Sequence, residues 1–150
     1  MVSKQRSYNM SRIKSKDTSI ELKVRKYLYH KGFRYQKNVK TLPGTPDIYI
    51  SKYNVAIFIN GCFWHHHYNC KYAYIPKTNQ DYWINKFEKN MKNDIEHYKQ
   101  LKQMDIKVIV IWECELKECF DYRMESLLEE IKNEDYKTCI TCRFFVLLYI

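Results

Sequence analysis

Val55-Ala56-Ile57-Phe58-Ile59-Asn60-Gly61-Cys62-Phe63-Trp64-His65-His66-His67-Tyr68-Asn69-Cys70 is the stretch on which the reading of this chain turns. It opens as an apolar run with the length and branching of a buried strand. Within two residues it becomes a segment holding two thiols, three imidazoles and the large aromatics Phe63 and Trp64. A strand that runs directly into metal ligands and stacking side chains points to a metal centre lying against a functional site.

The elements around it form an alternating pattern. Asp17-Thr18-Ser19-Ile20-Glu21 has the form of a helix start, with Asp17 or Thr18 as cap and Glu21 placed for a capping box. Ile20, Val24, Tyr27 and Leu28 recur at helical spacing, and Gly32 is the expected stop. Phe33 to Val39 alternates as a strand. Leu42-Pro43-Gly44-Thr45-Pro46 is a turn, because Pro-Gly breaks both helix and ladder. Asp47–Ile50 and Val55–Ile59 read as two strands joined by Ser51–Asn54, and residues 61–78 as irregular. A long helix is expected over about 79–103 with Trp83, Phe87, Met91, Ile95 and Tyr98 inward. Lys107–Trp112 is a nearly continuous apolar run, the pattern of a central strand. A weaker helix follows at about 121–133. The order is α-β-β-β-α-β, an α/β fold.

With 150 residues, 45% of them apolar, and only three Gly and three Pro, the chain reads as one domain with a real core. The division expected is a flexible basic arm over 1–16, a core over 17–120, and a C-terminal helix and tail over 121–150. The net charge of +9 is uneven: residues 1–120 hold 22 basic against 11 acidic side chains. Such an excess favours a polyanion partner, since released counterions drive that binding. The first 20 residues lack an apolar signal segment, and Phe144–Ile150 is far shorter than the ~20 residues of a membrane span. The chain is therefore expected to be intracellular, with its six cysteines as thiols or metal ligands rather than disulfides.

Cys62, His67, Cys70 and Cys114 form the candidate zinc set. Zinc takes four tetrahedral thiolate and imidazole ligands. Three come from one short loop, and Cys114, just past an apolar strand, supplies the fourth if that strand lies beside 55–60. A closed metal site would hold a loop with little apolar content. A solvated histidine turn with buried cysteines is the alternative, and Cys139 and Cys142 are a rival pair of ligands.

Two further groups stand out. Asp47 opens a strand after a rigid turn, a place for an exposed carboxylate of fixed direction; ending the turn is the other role open to it. Glu21 is either the capping-box acid or a group aimed toward a metal. On the long helix, Phe87, Asn90, Asp94 and Tyr98 share one side, so two polar groups interrupt an apolar stripe. Asp94 is expected to orient a histidine, with His65 first choice, or else to face water.

The chain resembles the very-short-patch-repair (Vsr) DNA mismatch endonucleases. The resemblance runs through Asn9–Glu21, Leu42–Ile48, Val55–His67, Pro76-Lys77-Thr78 with Trp83, Lys86, Asn90 and Asp94, and Val108–Leu116, in family order. The Gly-Cys-Phe-Trp-His and Trp-Glu-Cys pieces are the most specific. It implies a restriction-endonuclease-like (PD-(D/E)xK) core: a central mixed sheet flanked by helices, with a structural zinc loop. It also implies Mg²⁺-dependent nicking of one strand of duplex DNA at a T:G mismatch, such as deamination of 5-methylcytosine produces.

Residue by residue, the resemblance makes Asp47 the Mg²⁺-binding carboxylate, helped by the backbone carbonyl of Ile59. It makes Glu21 the acid of the first helix and His65 the catalytic histidine, and it supports the four zinc ligands named above. Met10, Phe63 and Trp64 match side chains wedged between bases. Arg12, Lys14 and Lys16 of the arm belong with the DNA contacts. Asn60 stands where some relatives carry a second active-site histidine that can assist the leaving group; here it would hydrogen-bond rather than donate a proton. A monomeric, cytoplasmic, nucleoid-associated bacterial enzyme working beside mismatch-repair proteins completes the expectation. The alternatives are a non-catalytic zinc-stapled DNA-binding module and a nuclease of the same fold with other target rules.

Overall fold

The computed structural model describes residues 17–133. The arm with Met10, Arg12, Lys14 and Lys16, and the Cys139–Cys142 pair, lie outside the described residues. In chain order the elements are α1 (Ser19–His30), β1 (Gln36–Lys37), β2 (Ile48–Ile50), β3 (Val55–Asn60), α2 (Gln80–Gln103), β4 (Lys107–Trp112), α3 (Glu113–Glu118) and α4 (Phe120–Lys132). A single turn of 3-10 helix, Ser51–Tyr53, joins β2 to β3.

The four strands form one mixed sheet in the order β1-β2-β3-β4. The hairpin pairs are antiparallel, with Ile48 opposite Ile57. β3 and β4 run parallel from Val55↔Lys107 to Asn60↔Trp112. That pairing needs a long crossover, and the 61–78 loop with α2 provides it. It also brings the chain just after β4 beside the chain just after β3.

Side-chain alternation divides the strands between two layers. On one face Ile48, Ile50, Val55, Ile57, Ile109 and Ile111 pack against Val24 and Leu28 of α1, Leu116 of α3, and Met124, Leu127 and Ile131 of α4. On the other, Ala56, Phe58, Val108 and Val110 meet Leu101 and Tyr98 of α2. Each such fully buried aliphatic or aromatic side chain contributes roughly 1.5–3 kcal/mol relative to exposure. The helix expected at about 121–133 is α4, and its Met124, Leu127 and Ile131 belong to this main layer. The buried Arg123 reinforces them, with its guanidinium on Glu130 Oε1 at 2.8 Å and on the Val110 carbonyl at 3.4 Å.

Two expectations about local structure are corrected. Of the strand expected over Phe33–Val39, only Gln36 and Lys37 pair; both are exposed, and Asn38 turns out of the strand at φ 49°. Ile95 was expected to face inward but is 46% exposed, while Trp83, Phe87 and Leu101 of the same helix are buried. α1 starts with Thr18 as N-cap, its hydroxyl oxygen accepting from the Glu21 amide. It stops at Gly32, whose φ of +88° lets the chain reverse while the Phe33 amide bonds the Leu28 carbonyl. No helix among the described residues is long and apolar enough to cross a membrane.

Candidate active site and metal centre

β3 ends at Asn60, and the next ten residues serve two adjoining sites. Tight turns wind the chain, with His65 N–H on the Gly61 carbonyl at 3.1 Å and His67 N–H on the Cys62 carbonyl at 3.0 Å. The winding divides the side chains of this segment between two sites.

On one side lies a Cys/His cluster. Cys62, His67, Cys70 and Cys114 bring their ligand atoms within 4.8 Å of one another. Cys114 comes from just past the end of β4, in the first turn of α3. His67 Nδ1 lies 3.7 Å from Cys62 Sγ and 3.3 Å from Cys114 Sγ. Tetrahedral zinc with nitrogen and sulfur at ~2.0 and ~2.3 Å would separate these atoms by about 3.5 Å. The donor set therefore suits a soft cation. Burial raises the Cys62 and Cys114 thiol pKa values and lowers that of the His67 imidazole, so this pocket disfavours the bare charged forms. A bound cation would reverse that preference for the thiols. Stacking of the His67 ring on Trp112, centroids 4.0 Å apart and planes at 4°, fixes the imidazole.

On the other side is an open cavity of about 780 Å³ at the C-terminal end of β3. Glu21, Asp47, Asn60, Trp64, His65, Asn90 and Asp94 all line it. Asp47 leaves the Pro43–Pro46 turn and accepts a 2.7 Å hydrogen bond at Oδ2 from the Ile59 amide. Burial, with the nearby Glu21 charge adding to it, pushes the Asp47 carboxyl up to about 6, against the Ile59 amide and the Arg25 and His65 charges. A carboxylate so placed, with an acidic neighbour, is a natural oxygen ligand for a hard divalent cation.

His65 Nδ1 lies 2.5 Å from Asp94 Oδ2. An ionised carboxylate only accepts, so Nδ1 carries the hydrogen and Nε2 is the basic atom. Four residues earlier on α2, the Asn90 amide donates to the Trp64 carbonyl at 2.7 Å and anchors the loop just before His65. Asn60, only 5% exposed, donates to the Tyr98 hydroxyl at 3.1 Å.

Glu21 is held by its own helix start. Its carboxylate accepts from the Thr18 hydroxyl at 2.9 Å and the Asp17 amide at 3.0 Å, and meets Arg25 at 3.2 Å. Phe63 and Trp64 are half-buried. Phe63 sits at the hub of an aromatic cluster, 5.1–5.3 Å from the Trp64, Tyr74, Trp83 and Phe87 rings.

One residue that sequence reasoning missed organises the acids. Arg25 is 4% exposed. It bonds Asp17, Glu21, the Asn38 side chain at 3.3 Å and the Asp47 backbone carbonyl at 3.1 Å. Its position four residues after Glu21 was the available signal.

A family model for DNA mismatch endonuclease Vsr matches residues 1–71. A type II nicking enzyme, V.NmeAIP of Neisseria meningitidis, is 47% identical over 131 residues, covering 85% of this chain and 92% of that protein. The DNA mismatch endonuclease Vsr of Escherichia coli K12 is 34% identical over 128 residues, covering 85% of this chain and 81% of its own length. A Xanthomonas oryzae type II nicking enzyme, V.XorIIP, is 36% identical over 126 residues, 83% of this chain.

Proposed function

This chain belongs to the DNA mismatch endonuclease Vsr family and is a DNA endonuclease; from that premise we propose that it nicks one strand of duplex DNA at a T:G mismatch, with Mg²⁺ and on a restriction-endonuclease-like core. The observation that carries the reading is the convergence of Asp47 and the His65–Asp94 pair on one open cavity beside a closed Cys/His cluster. Asp47 and the Ile59 backbone carbonyl would hold Mg²⁺, which supplies charge neutralisation at the phosphate. Asp94 fixes the His65 ring so that Nε2 takes a proton from the attacking water. Glu21 is the second acid of the cavity, and Arg25 keeps it and Asp47 apart from full mutual repulsion. Cys62, His67, Cys70 and Cys114 hold zinc as a structural staple.

Recognition falls to Phe63 and Trp64, with Met10, Arg12, Lys14 and Lys16 of the arm. A mispair stacks poorly, so unstacking it costs less of the few kcal/mol such distortion requires. Aromatic stacking returns about 1–3 kcal/mol per base. Incubation with Mg²⁺ and matched or T:G duplexes tests the reading: nicking of the mismatched duplex alone is expected, and nicking of neither would refute it. The nicking-enzyme names of the 47% and 36% identical relatives favour one second reading, a nuclease with its own flanking-sequence preference. Cutting that depends on flanking bases more than on the mismatch would select it.

A further inference from the structure

We propose that His97 is the proton donor to the leaving oxygen, the task Asn60 cannot perform; this rests on the reading of Asp47 and His65 above. Hydrolysis joins the water oxygen to phosphorus and breaks the bond from phosphorus to O3′. The electron pair of that bond stays on O3′, which must gain a proton, while the water proton passes to His65 Nε2. One imidazole accepts and a second group must give. Asn60 is a neutral amide already donating to Tyr98 at 3.1 Å.

Among the groups lining the cavity, His97 is the second imidazole. It lies on α2 three residues after Asp94, on the face that also carries Lys86 and Asn90 into the cavity. Asp94 is committed to His65, and Glu21 to Thr18, Asp17 and Arg25. The His97 ring nitrogens have no hydrogen-bond partner among the described residues, and the side chain is half-buried.

The backbone is shaped around it. A Cβ on Gly44 would fall 3.0 Å from His97 Cβ and 3.1 Å from its Cγ and Nδ1. The turn that delivers Asp47 thus closes on the imidazole, and a side chain at Gly44 would press on His97 and be strained at φ +73°. Gly44 has φ +73° and Thr45 φ 52°, a left-handed conformation that a β-branched residue rarely adopts. The same turn therefore sets the acid and clamps the second histidine. The charged groups around the cavity are Glu21 of α1, Asp47, His65, Lys86 and Asp94 of α2, and Glu113 of α3.

The test compares two T:G duplexes under single-turnover conditions with Mg²⁺. One has an ordinary scissile phosphodiester; the other has sulfur in place of the bridging O3′, a leaving group that departs without protonation. His97→Gln should slow cutting of the oxygen substrate about 10²-fold while cutting the sulfur substrate as fast as the unaltered protein. His65→Gln should slow both substrates alike. His97→Ala, with imidazole added to the buffer, should regain cutting of the oxygen substrate. Equal loss on both substrates with no imidazole rescue would overturn the proposal, as would no loss on either. Failure of the unaltered protein to nick at all would instead sink the underlying assignment of Asp47 and His65.

Discussion

The Cys/His cluster and the acid–imidazole cavity share one short segment yet are built on opposite principles. The cluster is closed: four soft donors within 4.8 Å, one fully buried, and an imidazole pinned on Trp112. The cavity is open, with donors drawn from α1, the β1–β2 turn, the 61–78 loop and α2. Three of the four cluster ligands are near neighbours in the chain, whereas the cavity takes Glu21, Asp47, His65 and Asp94 from four separate segments. A site of the first kind makes structure, and a site of the second kind uses structure that the rest of the molecule has made.

The sharpest break of this comparison is removal of the staple. Cys114→Ser, or chelation of the metal, should lower thermal stability by several kcal/mol and abolish nicking with it. A matching loss in melting temperature and in zinc content is the measurement; full stability without zinc would exclude the ligand set. Asp47→Asn should behave in the contrary way. It should remove about 10³-fold of nicking, the several kcal/mol a metal-supported phosphate interaction supplies, while leaving the melting temperature unchanged or raised. Retained cutting would exclude the assignment.

Arg25→Met should fall between these, because it leaves the buried Glu21 without its countercharge. A loss of about 3–5 kcal/mol is expected in denaturant unfolding, with the nicking pH profile moved to higher pH as Asp47 loses a favourable neighbour. The smallest effect is a pH dependence. Burial holds the Asp47 carboxyl up to about 6, above the ordinary ~3.9. Between those values the folded protein binds more protons than the unfolded chain, so stability without divalent cation should fall as pH rises through that window. Asp47→Asn should remove this slope, and Mg²⁺ should stabilise the protein more at pH 7 than at pH 5.

How legible all this was in the sequence depended on whether neighbours in space were neighbours in the chain. The Cys62–Cys70 segment, the β2–β3 hairpin and β4 carry their signals locally, and the structure has them where the residues imply. α2 was misread in part. At about 100° per residue its inward line runs through Trp83, Phe87, Asp94, Tyr98 and Leu101, so a polar residue occupies the place that hydropathy gave to Ile95. β1 shrank to two residues because nothing apolar on Gln36 or Lys37 fastens that edge. Arg25 and His97 escaped notice because each looks like an ordinary charged or polar helix residue. Their meaning comes from the β1–β2 turn, which reaches Arg25 through the Asp47 carbonyl and His97 through Gly44.

The winding between Asn60 and His67 has a consequence for how this chain can vary in length. Asn60, Trp64 and His65 line the cavity while Cys62 and His67 join the cluster, so one inserted or deleted residue there would break the turns that hold the two sets apart. Both sites would be disturbed together, because both draw on this one segment. The following stretch, Lys71 to Asn79, supplies neither a cluster ligand nor a wall of the cavity, and it is there that additions to the crossover can be absorbed.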